Sequence, residues 1–149
     1  MKRKFFMIFL VVVSTNCFSQ KVLPVTWSFA TVNQGKHEAE LTFTAIVNDG
    51  WHIYSQLIES GGPIPTSFTF TPAVDYNLDG KVVEPNDPVK AYDKAFEMNI
   101  TYFTSKVVFV QKINYSKPGI VVKGILKFMA CNGEQCIPPQ DVEFNFMLK

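Results

Sequence analysis

Cys131 and Cys136 are the residues best suited to chemistry, and four residues stand between them in Ala130-Cys131-Asn132-Gly133-Glu134-Gln135-Cys136-Ile137-Pro138-Pro139. A thiol pair so close in sequence supports three chemistries: a disulfide that stiffens one corner, a disulfide that exchanges with other thiols, or half of a metal site. Metal is the weakest reading, because only His37 and His52 could add imidazoles and four ligands at zinc spacing are not evident. A purely structural role is weakly motivated, since closing a loop of about six residues stabilises by only ~2 kcal/mol in the chain-entropy model. The linker Asn132-Gly133-Glu134-Gln135 is polar, which keeps at least one sulfur near solvent, and Gly133 is free to take φ > 0 where the chain folds back. Pro138 and Pro139 lack N–H donors and stop strand pairing beside Cys136. Exchange and structural readings both stay open on these grounds.

The N-terminus bears on the redox setting. Lys2, Arg3 and Lys4 precede the apolar run 5–13, and Cys17-Phe18-Ser19 then offers small residues for cleavage before Gln20. That is the pattern of a secretory signal over residues 1–19, with a mature domain over 20–149. An alternative is a lipoprotein acylated at Cys17. Losing the three early cations turns the formal charge of +1 into −2, which leaves no basic surface suited to nucleic acid. The apolar run is too short to span a bilayer, so the mature chain is expected to have no membrane span. An exported chain in an oxidising compartment keeps Cys131 and Cys136 as an isolated pair able to form a disulfide.

The pair must be held by strands. Ala39, Leu41, Phe43, Ala45 and Val47 alternate with polar residues, Asn48-Asp49-Gly50 reads as a turn, and Trp51 to Ser55 reads as the next strand. Ser67 to Thr71 sets Phe68 and Phe70 on one face; Phe96, Met98, Ile100 and Tyr102 alternate; Lys106 to Ile113 reads as buried on both faces; Val142, Phe144, Phe146 and Leu148 close the chain. Eight or nine short strands with Pro/Gly/Asn/Asp punctuation predict an all-β, immunoglobulin-like antiparallel β-sandwich. The polar stretch from Asn77 to Lys94 reads as a long connection, either a binding loop or lid or a solvated hairpin tip.

The run from Lys127 to Pro139 resembles the redox motif of the N-terminal periplasmic domain of DsbD, the thiol:disulfide interchange reductase. Asp49-Gly50-Trp51-His52-Ile53-Tyr54 is similar to that family's D-G-aromatic-aromatic-aliphatic-Tyr strand, and Ala91-Tyr92-Asp93-Lys94 leading to Phe96 and Met98 falls at its cap loop. The resemblance implies an immunoglobulin-like domain whose disulfide relays reducing equivalents between thioredoxin-like proteins, as a thiol:disulfide interchange activity. By motif, Cys136 is the exchanging sulfur and Cys131 the resolving one. No cofactor and no metal is implied. His52 and Tyr54 are expected to support the pair if their strand lies beside it, and Tyr92 or Phe96 to shield it. Ala91 stands where the family's cap phenylalanine falls, and the cysteines are one residue closer than usual. The family's full reductase continues into a membrane electron carrier and a terminal thioredoxin-like domain that this sequence lacks, so a separate membrane electron donor is expected. With Glu134 nearby and no cation beside the motif, the thiol is expected to be a sluggish nucleophile whose rate its partner sets. The rival reading is an immunoglobulin-like protein-binding module that grips through the Asn77 to Lys94 loop and carries a purely structural disulfide.

Overall fold

Side-chain burial follows a period of two along the longest strands of the chain, and that periodicity builds a sandwich. The structure, a computed structural model, describes residues 23–94 and 96–149; the expected signal and Cys17 lie outside the described residues. Its strands are β1 (Val25–Gly35), β2 (Glu38–Val47), β3 (His52–Tyr54), β4 (Ser67–Phe70), β5 (Tyr76–Val83), β6 (Val89–Asp93), β7 (Met98–Phe103), β8 (Lys106–Tyr115), β9 (Val121–Phe128), β10 (Ala130–Cys131) and β11 (Gln140–Met147). They form three antiparallel sheets in the orders β1-β2-β8-β5, β11-β9-β4 and β10-β3-β7-β6.

The first two sheets close the main core. Ala39, Leu41, Phe43, Ala45 and Val47 of β2 are all buried, as the alternation predicts. The Phe43 ring lies 4.7 Å from Phe68, 4.9 Å from Phe144 and 5.1 Å from Phe146, so one side chain of the first sheet meets β4 and β11 of the second. Tilted and edge-on aromatic pairs of this kind add to the stabilisation from burial alone. Gly124 makes the close approach possible: a Cβ there would overlap the Thr69 carbonyl oxygen and the Phe144 ring. At the entry to β5 the Tyr76 hydroxyl donates to the Thr71 carbonyl, a tether like the tyrosine corner of immunoglobulin-like domains.

Several expectations are corrected. Eleven strands are described rather than eight or nine. The Asn77–Lys94 stretch is not a loop: it holds most of β5 and all of β6. Both are edge strands, so one side of each lacks a strand partner, and most of their side chains reach solvent, which explains the polar composition. A register shift between Asp79 and Val83 accompanies Gly80 at φ 72°, and the buried Gln111 Nε2 donates to the Asp79 and Gly80 carbonyls at 3.2 and 3.3 Å. The segment from Lys106 to Ile113 is not buried on both faces. In β8, Val107, Phe109, Gln111 and Ile113 point into the core, Val108 and Val110 are half-buried, and Lys112 is exposed. Phe96 does not lead the alternating strand either; it sits in the turn before β7, its N–H donating to Asp93 Oδ1 at 3.2 Å.

Candidate disulfide exchange site

Asn48-Asp49-Gly50 turns the chain into β3, with Gly50 at φ 77° and the Trp51 N–H donating to the Asn48 carbonyl at 3.0 Å. The far end of β3 is pinned by side chains. Thr66 Oγ1 donates to the Tyr54 carbonyl at 2.6 Å, while Glu84 accepts from Ser55 Oγ at 2.6 Å and from the Gln56 N–H at 2.8 Å. This short strand is therefore fixed at both ends. β10 pairs with one side of it, matching Ala130 to Ile53 and Cys131 to His52. β7 pairs with the other, matching Tyr54 to Tyr102.

After Cys131 the chain reverses in a tight hairpin. The Asn132 N–H donates to the Gln135 carbonyl at 2.9 Å, the Ile137 N–H to the Ala130 carbonyl at 2.9 Å, and Asn132 Oδ1 accepts from the Glu134 and Gln135 N–H groups at 2.9 and 2.8 Å. An asparagine closing its own turn in this way is a standard local motif. Cys131 and Cys136 thereby face each other as an isolated antiparallel pair, Cα atoms 4.0 Å apart, and are joined by a disulfide. Gly133 does not take φ > 0; the asparagine side chain, not glycine freedom, shapes the reversal.

The two sulfurs lie in unlike surroundings. Cys131 is 2% exposed and clusters with the buried Tyr54 and Ile100, flanked by Ile58, Met98, Tyr102 and Met129. Cys136 is exposed. An open concavity of about 470 Å³ lies over the pair, lined by the Cys131–Cys136 hairpin together with His52, Tyr54, Tyr92, Asp93, Lys94 and Phe96. All six residues singled out from sequence thus meet in one place, although Tyr92 is largely exposed and Phe96 partly buried. Two charged neighbours, Asp93 and Lys94, were not foreseen as part of the site. Lys94 corrects the expectation that no cation is near, while Lys127 pairs with Asp141 at 3.6 Å on the surface.

His52 Nε2 and Tyr54 Oη share a 3.3 Å hydrogen bond, and the His52 ring lies 4.6 Å from Tyr102. Burial pushes the His52 pKa below its ordinary value, partly offset by the Asp93 charge. Burial, and secondarily Asp93, pushes the Tyr54 phenol up to about 12. At neutral pH the site therefore presents a neutral imidazole and an intact phenol. Glu84 is the residue that sequence reasoning missed as a support of β3; it lies in the stretch read as a loop, and no local signal distinguishes it.

A β-sandwich carrying an exposed-and-buried cysteine pair at a hairpin tip defines a class of thiol-disulfide exchange domain. The chain belongs to the family of thiol:disulfide interchange protein DsbD N-terminal domains, whose family model matches residues 19–148. The fold agrees with solved relatives. The reduced DsbD N-terminal domain of Neisseria meningitidis is 19% identical with a TM-score of 0.58, covering 83% of this chain and 85% of its own. The DsbD N-terminal domain in complex with the PilB N-terminal domain, from the same organism, is 19% identical with a TM-score of 0.54, over 84% and 87%. The N-terminal periplasmic domain of ScsB from Proteus mirabilis is 18% identical with a TM-score of 0.58, over 83% of this chain and 45% of that one. A comparison with curated proteins finds no match. No helix among the described residues is long and apolar enough to cross a membrane.

Proposed function

We propose that the protein is exported to the periplasm and relays reducing equivalents between thioredoxin-like proteins through Cys131 and Cys136, with Cys136 as the exchanging sulfur. The observation that carries this reading is the asymmetry of the pair: Cys136 exposed at the tip of a hairpin, Cys131 buried behind it, both opening on one concavity. A partner thiolate attacks Cys136 Sγ, the disulfide breaks, and its electron pair passes to Cys131 Sγ, leaving a mixed disulfide between the partner and Cys136. A second partner thiol then attacks the mixed disulfide and releases the domain as a dithiol. Run in reverse, the dithiol reduces a second protein's disulfide.

Tyr92 and Phe96 shield the pair in place of the family's cap phenylalanine. Their position at the concavity's wall, Tyr92 near the end of β6 and Phe96 on the turn before β7, supports that role. That a DsbD N-terminal domain has been solved with a domain of another protein supports a protein partner here. Electrons come from a separate membrane donor, and residues 1–19 direct export.

The test is a Cys131→Ser variant mixed with oxidised thioredoxin-like proteins. A mixed disulfide through Cys136 that persists until a reductant is added is expected; failure to trap one with any of them contradicts the proposal.

A further inference from the structure

We infer that His52, held by Tyr54, is the base that takes the proton from Cys131 when that thiol closes the disulfide. The inference rests on the exchange role just proposed and deepens it.

The position of His52 is set by strand register. Cys131 and His52 are direct partners across β10 and β3, and directly opposite side chains on an antiparallel pair project to the same face with Cβ atoms about 4.5–5.5 Å apart. Both line the concavity. A buried thiol has need of such a partner. Cys131 is 2% exposed among Tyr54, Ile100 and methionines, surroundings that disfavour its thiolate. Water reaches it poorly, yet it must be deprotonated to attack the mixed disulfide at Cys136. His52 reaches both environments, half-buried and at the wall of the open hollow.

The orientation is supplied from the same strand. His52 Nε2 and Tyr54 Oη share a hydrogen bond of 3.3 Å; in the tautomer that carries its proton on Nε2, His52 donates to the phenol and Nδ1 is the ring's acceptor. Tyr54 is fully buried and hydrogen-bonded in place, its backbone fixed by Thr66, and Tyr102 of β7 packs against the imidazole at 4.6 Å. The charged groups facing this pair are Asp93 at the end of β6, Lys94 just after it and Glu134 from the hairpin; the titratable neighbours are Tyr54, Tyr102 and Cys131 itself. Burial outweighs Asp93 and keeps the imidazole neutral near pH 7, the state a base requires.

The step balances. In the mixed disulfide Cys131 is a thiol. His52 removes its proton, Cys131 Sγ attacks Cys136 Sγ, the bond from Cys136 to the partner breaks, and the partner departs as a thiolate. The two cysteines are oxidised to the disulfide, the partner's disulfide has been reduced overall, and the imidazolium returns its proton to solvent. In the opposite direction the imidazolium protonates Cys131 as it leaves.

The reduced protein mixed with an aromatic disulfide that releases the coloured thionitrobenzoate ion tests this without a protein partner. The first equivalent reports attack on the reagent; the second reports closure by Cys131. Cys131→Ser should release only the first, which establishes the two phases independently of any relay between proteins. In His52→Gln the second phase should slow about tenfold or more near neutral pH, with the first changed less than about twofold. Its pH profile should also move, from levelling off above the histidine's titration to climbing toward the ordinary thiol range near pH ~8.5. Tyr54→Phe, which removes only the hydroxyl, should slow the second phase less and leave the first alone, and it serves alone if His52→Gln does not fold. Unchanged second-phase rates and pH profiles in these variants overturn the proposal, as does equal slowing of both phases.

Discussion

His52 and Tyr54 differ by two positions in sequence, and burial moves their titrations in opposite directions. Stability should follow. A histidine whose folded pKa lies below 6.5 takes up its proton more readily in the unfolded chain, so the native state loses stability as pH falls below 6.5. A tyrosine raised from 10.0 to about 12 holds its proton longer when folded, so stability is lost as pH rises through that interval. Urea midpoints measured from about pH 5 to about pH 7 should drop toward acid, and the drop should shrink in His52→Gln. An identical acid slope in the variant would contradict the assignment. At this scale the sequence was informative about identity and silent about environment. The spacing of Cys131 and Cys136 marks them as a pair, but which sulfur is buried depends on β3 and β7, far away along the chain. Lys94 and Asp93 enter the site for the same reason: the β6–β7 turn folds back over a motif some forty residues later in the sequence.

Among the elements, those with clean alternation of residue type were legible and those with alternation of burial alone were not. β2 shows both. In β9 the inward positions are Val122, Gly124, Leu126 and Phe128, while Val121 and Ile125 face outward, so apolar type does not track the buried face. β5 buries only Tyr76, as an edge strand can, and its composition reads as a loop. The glycines make a direct test of this level. Gly124→Ala would force a methyl group against the Thr69 carbonyl and the Phe144 ring and should cost roughly 1–3 kcal/mol or more. Gly133→Ala meets nothing within 4 Å and has no positive φ, so it should stay within about 0.5 kcal/mol of the parent. Denaturant midpoints of the two variants check both; equal losses would mean that the packing of β9 or the shape of the hairpin is not as described.

For the whole molecule, the disulfide and the core are separate matters. Phe43 and its aromatic neighbours join the first two sheets, whereas the Cys131–Cys136 ring closes a few residues at one end of the third. A loop so short contributes only ~2 kcal/mol to folding in the chain-entropy model. A sandwich with this core does not depend on it, which leaves the bond available for exchange. The fold class was readable from punctuation and periodicity; the division into three sheets, with Cys131 on the two-residue β10 and Cys136 facing it at an isolated bridge, depends on long-range pairing that no local window reports. The equilibrium redox potential of Cys131–Cys136, titrated against a thiol buffer of known poise, tests the central claim most directly. A value among exchange proteins, from about −120 to −270 mV, is the predicted result; a value well below about −300 mV would mark a structural bridge and contradict the account.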